Sequence, residues 1–223
     1  MASCILLDYL TQPNPSLVNT HSLTGLPTKQ DLPHEIEVVE WEEFNLENLM
    51  NCYGHVLRME FQLPDISPPP TNLERNIVDE DSLDHLISRS VIPIVNAALG
   101  VAWHCCYPNH QEALIQITRG GRARRPEDDA VMQDGNSPEG TDGNAKIFPD
   151  WAGAIIRKDD PWTCVNRCPG DTKLSTKWKS DKKVKSWEWP LAQMLIYCGE
   201  NWNCRYGYLI TQKELVVLRF ARE

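Results

Sequence analysis

The sequence predicts an α/β (α+β) fold in which a central mixed sheet is flanked by helices and preceded by an N-terminal helical extension. Hydrophobic periodicities follow the order helix, strand, long polar stretch, two strands, helix, two strands. This order lacks the regular alternation of parallel βαβ units and is typical of an α/β sandwich. With 223 residues, 41% of them hydrophobic, the chain can bury one full core and carry a flanking extension.

Residues 1–70 are predicted to form an N-terminal arm and a helical extension. The stretch 11–35 is rich in Pro, Asn, Ser and Thr, a composition that favours an extended arm. From Glu40 to Leu57, apolar residues recur at helical spacing, which predicts a helix. Residues 64–71 contain three consecutive prolines and are typical of a linker. The main domain is therefore expected to span residues 71–223.

A long helix is predicted near the start of the main domain. Asp79 and Ser82 offer capping side chains, and apolar residues then recur at helical spacing as far as Leu99. Pro93 lies inside this pattern and is expected to kink or break the helix. Gly100 is placed to end it.

The rest of the domain is predicted to consist mainly of strands. Residues 112–118 show the alternation of a strand. Residues 120–144 have low hydrophobicity and many Gly, Asp, Asn and Pro, which predicts a long mobile loop. The elements expected after this loop are a strand at 145–156, a turn at 158–161, a strand formed by 162–166 with 171–174, a helix at 187–201, and strands at 206–210 and 215–220.

Two short motifs point most clearly to chemistry: Pro149-Asp150 and Asp171-Thr172-Lys173. Both lie on strands that are expected to be neighbours. Two carboxylates can hold a divalent cation, and a lysine beside them can orient or activate water. Strand alternation puts Asp171 and Lys173 on one face and Thr172 on the other. The motifs therefore predict a metal-dependent site that cleaves phosphodiester bonds.

With these motifs and the helix that follows them, the chain resembles the PD-(D/E)XK nuclease-like superfamily. The helix contains Gln193 and Tyr197, the Gln-x-x-x-Tyr pattern of RecB-like members. Residues 205–211 are similar to the closing strand of uncharacterised proteins of filamentous fungi. The resemblance covers roughly residues 75–220. It implies a core of helix, three strands, helix and strand, so that residues 71–223 would form a restriction-endonuclease-like sandwich.

The resemblance also implies a role for each motif residue. Asp150 and Asp171 would hold Mg²⁺ (or Mn²⁺), with the backbone carbonyl of Thr172 as a third ligand. Lys173 would position the attacking water or stabilise the charge that develops on the phosphate. The implied activity is Mg²⁺-dependent hydrolysis of phosphodiester bonds in DNA.

Residues from two helices are expected to complete the site. Gln193 and Tyr197 are one helical turn apart and share a face, from which they can support the site or contact a phosphate. Members of the superfamily often add a glutamate from the first helix. Glu80 is the best match for this further metal ligand, and Glu74 is the second.

The charge distribution is compatible with a nucleic-acid partner, although the net charge is −9. Residues 1–115 hold 4 Lys/Arg and 16 Asp/Glu, whereas residues 116–223 hold 18 and 15. A locally basic half can bind phosphates even when the whole molecule is acidic. The alternative is that the acidic and basic faces merely keep the protein soluble. The residues expected to contact nucleic acid are Lys177, Lys179, Lys182, Lys183, Arg122 and Arg124.

Other interpretations stay open at this point. The same short strings occur again as Pro64-Asp65 and Asp181-Lys182-Lys183, but these lie in polar segments without strand character and are discounted as sites. The alternative for Asp150 and Asp171 is that they are turn and strand-end carboxylates with Lys173 as a surface partner. A nuclease-like fold without cleavage can serve as a small-molecule (secondary-metabolite) enzyme or a binding module. A further alternative is an interaction protein in which Asp150, Asp171 and Lys173 are structural.

The compartment is expected to be intracellular, either cytoplasmic or nuclear. No stretch approaches the ~20 apolar residues of a membrane span. Asp8 interrupts the short apolar run at the N-terminus, and no basic residue precedes that run. The eight cysteines are expected to be reduced, and the spacing of Cys164, Cys168, Cys198 and Cys204 does not favour a zinc site.

Overall fold

The computed structural model describes residues 2–17, 36–66, 68–109, 113–123, 148–157, 164–181 and 187–221. Within these segments the chain forms five α-helices and seven strands. In chain order they are β1 (Ala2–Ile5), α1 (Leu6–Leu10), α2 (Leu46–Leu57), β2 (Glu60–Leu63), α3 (Glu80–Ser90), α4 (Ile92–Cys106), β3 (Ala113–Arg119), β4 (Trp151–Arg157), β5 (Val165–Thr172), α5 (Glu188–Ile196), β6 (Tyr206–Ile210) and β7 (Leu215–Arg219).

A five-stranded mixed sheet forms the centre of the fold, as the sequence predicts. Its strand order is β3-β4-β5-β6-β7. Strands β5 and β6 are parallel, and the other neighbours are antiparallel. A parallel pair needs a crossover connection, and α5 lies in the connection between β5 and β6. The predicted mixed α/β architecture is therefore confirmed.

The two faces of the sheet carry separate apolar clusters. On one face, Leu83 and Leu86 of α3 pack with Trp151 of β4. On the other, Met194 of α5 packs with Leu209 of β6. All five side chains are buried, so the sheet is held between helices.

The N-terminal residues pack against α4. Strand β1 pairs with β2 in a small antiparallel sheet that no pattern in the sequence predicts. Leu6, Tyr9 and Leu63 form a buried cluster with Ala98 of α4. Of the arm expected at 11–35, residues 12–17 lack regular structure and residues 18–35 lie outside the described segments. The extension therefore shares a core with the helices that precede the main sheet.

The first predicted helix begins later than the apolar spacing suggests. Helix α2 starts at Leu46, not at Glu40, because the side chain of Asn45 accepts a hydrogen bond from the N–H of Asn48 at 2.9 Å. This contact satisfies a backbone donor of the first turn. Phe44, which the helical spacing includes, lies before the helix and is exposed.

The predicted long helix is two helices. Asp79 caps α3 through a reciprocal contact with Ser82, as its position indicates. The chain bends by 43° between α3 and α4. Pro93 lies in the first turn of α4, where its missing N–H costs no helical hydrogen bond. Gly100 does not end the helix as the sequence predicts; it lies inside α4, which continues to Cys106.

Strand β5 is continuous where the sequence predicts an interruption. It runs through Pro169 and Gly170, and Pro169 pairs with Ala152 of β4. A proline is tolerated there because β6 pairs with β5 only from Gly170 onward. Gly170 is required by packing, since a Cβ at this position would lie 2.1 Å from the ring of Tyr208.

No single helix in the described segments is long and apolar enough to cross a bilayer. Helices α3 and α4 meet those criteria of length and composition only as a bent pair.

Candidate active site

The two predicted motifs meet at one end of the sheet. Asp150 directly precedes β4, and Asp171 and Thr172 end β5, its antiparallel partner. The register pairs Trp151 with Gly170, which brings Asp150 close to Asp171. The backbone N–H of Thr172 donates to Oδ2 of Asp150 at 2.8 Å. This bond joins the motifs directly.

Asp171 and Lys173 form a buried ion pair through Oδ2 and Nζ. They lie on the same face, as strand alternation predicts. The Lys173 ammonium also donates to the carbonyl oxygen of Thr172 at 3.1 Å. Burial by itself lowers the pKa of Lys173, but the negative charges of Asp171, Glu80 and Asp150 outweigh it and raise that pKa. Lys173 is therefore a protonated cation inside the site.

The Asp150 carboxyl titrates near neutral pH. Burial and the negative charge of Asp171 raise its pKa to about 7, against the lowering effects of the Thr172 N–H and of Lys173. Two carboxylates that repel each other in this way are a suitable environment for a divalent cation, whose charge relieves the repulsion.

Thr172 is fully buried and its hydroxyl is hydrogen-bonded on both sides. The hydroxyl accepts from Nε1 of Trp151 at 2.9 Å and donates to Oδ1 of Asp84. The other oxygen of Asp84 accepts a hydrogen bond from Arg119. The guanidinium of Arg119 also lies over the ring of Trp151, 5.0 Å from its centroid. These four side chains form a closed network on the α3 face of the sheet.

Asp84 belongs to none of the sequence motifs. The residue is 5% exposed and lies among the apolar residues Leu83, Leu86 and Ile87 of α3. Burial raises its pKa, and the hydrogen bond from Thr172 opposes that rise. An acidic residue within the apolar stripe of a helix is the sequence signal that was available, because a buried carboxylate needs a partner.

Gln193 and Tyr197 share one helix face, as predicted, and they support the residues before Asp150. Nε2 of Gln193 donates to the Tyr197 hydroxyl at 2.9 Å, and that hydroxyl donates to the carbonyl of Phe148 at 3.2 Å. Burial and the charge of Asp171 raise the pKa of Tyr197, so its hydroxyl keeps its proton. Oε1 of Gln193 is buried and has no hydrogen-bond partner among the described residues.

Of the two candidate glutamates, Glu80 is the one near the motifs. It lies in the first turn of α3 and forms an ion pair with Lys177 at 3.4 Å. Its negative charge also contributes to the raised pKa of Lys173. Glu74 instead accepts hydrogen bonds from Thr71 and pairs with Arg89.

The predicted nucleic-acid contacts are only partly described. Lys177 and Lys179 are half-buried, and Lys177 lies beside Glu80. Arg122 belongs to a 3₁₀ turn formed by Gly120–Arg122, but its side chain is not described. Lys182, Lys183 and Arg124 lie outside the described segments, as do residues 124–147 of the predicted mobile loop.

The described residues contain no group of three or more His, Cys, Asp or Glu side chains arranged to hold a metal ion. The oxygen atoms at the motifs are those of the Asp150 and Asp171 carboxylates and the Thr172 carbonyl, and Glu80 lies close enough for its charge to act on Lys173. The described cysteines do not form a further metal group. Burial raises the pKa of Cys168 to about 11, and the Cys204 thiol donates to the carbonyl of Asn166 at 3.0 Å.

A cavity of about 540 Å³ lies elsewhere in the described part of the chain. None of the motif residues lines it. Its walls come from the N-terminal arm, the proline-rich segment and the α3–α4 region: Gln12, Pro13, Asn14, Pro15, Ser16, Ile66, Pro68, Pro69, Pro70, Arg75, Ser90 and Ile94.

Comparisons of the chain with protein-family models, curated proteins and solved structures return no match.

Proposed function

We propose that the protein is a Mg²⁺-dependent (or Mn²⁺-dependent) nuclease of the PD-(D/E)XK type, which hydrolyses phosphodiester bonds in DNA. The observation that carries the proposal is the meeting of Asp150, Asp171 and Lys173 at the ends of two adjacent strands. Two carboxylates with a protonated lysine beside them suit a reaction in which negative charge develops on a phosphate.

The topology supports a restriction-endonuclease-like sandwich. After the helices α3 and α4 come the antiparallel strands β3, β4 and β5, then α5, then β6 parallel to β5. This is the order of helix, three strands, helix and strand that the sequence resemblance implies. Strand β7 extends the sheet beyond that core.

The side chains divide the proposed work between them. Asp150, Asp171 and the Thr172 carbonyl would hold the cation, which supplies charge neutralisation and a more acidic bound water. Lys173 keeps its proton at Nζ and stabilises negative charge on the phosphate. Tyr197 and Gln193 hold the Phe148–Asp150 segment through the Phe148 carbonyl.

A second candidate is a nuclease-like fold that binds its partner without cleaving it. One observation favours it: the Lys173 ammonium already occupies acceptors on Asp171 and on the Thr172 carbonyl. A cation bound there must compete with Lys173. The version of this candidate that acts on a small molecule gains no support from the 540 Å³ cavity, since no motif residue lines it.

A plasmid-nicking assay with Mg²⁺ or Mn²⁺ tests the proposal. Wild type is expected to nick, and both Asp171→Ala and Lys173→Ala are expected to lose nicking. Asp65→Ala is a matched control, because Pro64-Asp65 repeats the first motif outside the site. Nicking that survives both site substitutions would assign the activity to another site or to a contaminant.

Cation binding separates the two candidates. Titration with Mn²⁺ alone is expected to give binding that Asp171→Ala abolishes. Binding of duplex DNA without any cleavage in the presence of Mn²⁺ would overturn the nuclease proposal and support the binding module.

A further inference from the structure

We infer that Asp84 and the Thr172 hydroxyl are positioning groups, which hold the backbone of residue 172 so that its N–H orients Asp150 and its carbonyl faces Lys173. This inference rests on the proposed function. Neither the Asp84 side chain nor the Thr172 hydroxyl is among the groups proposed to hold the cation or to stabilise charge on the phosphate.

The Thr172 hydroxyl has a fixed direction. A hydroxyl has one proton to donate and lone pairs to accept with. Thr172 donates its proton to Asp84 on α3 and accepts from Trp151 on β4. The side chain is fully buried, so water does not compete for these partners. Two separate elements therefore fix one short side chain.

Asp84 is itself held in place. Arg119 at the end of β3 bonds to its second carboxylate oxygen and lies over Trp151. Burial of a carboxylate in the apolar stripe of α3 is unfavourable unless it is paired. The pairing with both Thr172 and Arg119 compensates for this burial. Through Arg119, Trp151 and Thr172, this network links α3 to strands β3, β4 and β5.

The backbone of residue 172 connects this network to the site. Its N–H donates to Oδ2 of Asp150 at 2.8 Å, and its carbonyl accepts from Lys173 at 3.1 Å. The hydroxyl lies on the opposite face of the strand from Asp171 and Lys173. Mutation of a residue that hydrogen-bonds a metal ligand typically lowers metal affinity or activity about 10- to 100-fold.

The test compares Thr172→Ser, which keeps the hydroxyl, with Thr172→Val, which removes it at nearly constant shape. Thr172→Val is expected to lower Mn²⁺ affinity or kcat about 10- to 100-fold, with KM for DNA little changed. Thr172→Ser is expected to stay within about threefold of wild type, and Asp84→Asn to resemble Thr172→Val. Thr211→Val is the matched control, because this buried threonine makes its hydrogen bonds to Lys213 and Glu214.

Hydrogen exchange of the residue-172 amide gives a readout that does not depend on activity. Exchange is expected to accelerate in Thr172→Val and Asp84→Asn but not in Thr172→Ser or Thr211→Val. If wild type nicks DNA and Thr172→Val matches it in Mn²⁺ affinity, kcat and exchange, the inference is wrong while the proposed function stands. If wild type neither binds Mn²⁺ nor cleaves DNA, the proposed function and this inference are both wrong.

Discussion

Gly120 packs its backbone directly against Pro149, the residue before Asp150. A Cβ on Gly120 would lie 1.7 Å from the carbonyl oxygen of Pro149, a distance that non-bonded atoms cannot adopt. The N–H of Gly120 also donates to the carbonyl of Asp150 at 2.8 Å. The end of β3 therefore fixes the position of the first motif, and only glycine allows this approach.

Gly120→Ala is expected to displace the Pro149–Asp150 segment. The added methyl group must push backbone away from backbone, so we expect a destabilisation of at least about 1–3 kcal/mol, together with weaker Mn²⁺ binding. Urea unfolding and Mn²⁺ titration measure the two effects. Gly121→Ala is the matched control, because a Cβ there meets nothing within 4 Å. Equal behaviour of the two variants would show that the 120–149 contact does not control the site.

Parts of the site follow from the local geometry of a single strand or helix, and these could be predicted from the sequence. The alternation of Asp171 and Lys173 on a strand, and the spacing of Gln193 and Tyr197 on a helix, depend only on the element to which each pair belongs. Both pairs lie as the sequence predicts. The order of elements in the second half of the chain was predictable for the same reason.

Other features of the site and the fold depend on how distant elements pack together, and they could not be predicted from the sequence. The contact between Asp84 and Thr172 forms only because α3 packs against β5. The continuity of β5 through Pro169 depends on where β6 begins to pair. The pairing of β1 with β2 joins segments that are far apart in the chain, which no local pattern encodes.

The raised pKa of Asp150 predicts a pH-dependent stability in the absence of divalent cations. An unfolded aspartate has a pKa of about 4, whereas the folded Asp150 carboxyl has a pKa of about 7. Between these values the folded state binds more protons than the unfolded state. The contribution of Asp150 is therefore fully present below about pH 4 and is lost as the pH rises to about 7.

Asp150→Asn removes this titration. In EDTA, the loss of stability between about pH 4 and 7 is expected to be shallower in the variant, by at most about 1.4 kcal/mol per pH unit. Urea unfolding at several pH values measures the difference from wild type. Asp81→Asn, which removes an exposed aspartate of α3, is the control and should leave the slope of wild type. Parallel curves for wild type and Asp150→Asn would contradict the raised pKa.

Tyr197→Phe is expected to loosen the support beneath the first motif. The substitution leaves the Phe148 carbonyl and Nε2 of Gln193 without their hydrogen-bond partner, which costs about 1–3 kcal/mol. Because Phe148 is two residues before Asp150, nicking should fall as well. Thermal unfolding and the nicking assay measure both effects. Tyr53→Phe, at an exposed position of α2, should change neither; a Tyr197→Phe protein with wild-type stability would show that the hydroxyl bonds contribute little.

Lys173→Met removes the positive charge that pairs with the buried Asp171 carboxylate. Without the ammonium, the Asp171 carboxylate stays buried beside Asp150 but has no ion-pair partner. We therefore expect the free energy of unfolding to fall by about 3–5 kcal/mol. The double variant Asp171→Asn/Lys173→Met removes both charges and should be more stable than the single one. Lys177→Met is the control, since the half-exposed Lys177–Glu80 pair is expected to contribute less than about 1 kcal/mol.

The same variant connects stability to the proposed metal site. A divalent cation that binds the folded protein stabilises it by mass action. Mn²⁺ is therefore expected to raise the melting temperature of Lys173→Met more than that of wild type, because the cation no longer competes with the lysine for Asp171 and the Thr172 carbonyl. The double variant should lose this response, since the amide that replaces the Asp171 carboxylate is a neutral and weaker ligand. A melting temperature of Lys173→Met that does not respond to Mn²⁺ would mean that the two carboxylates do not form a cation site.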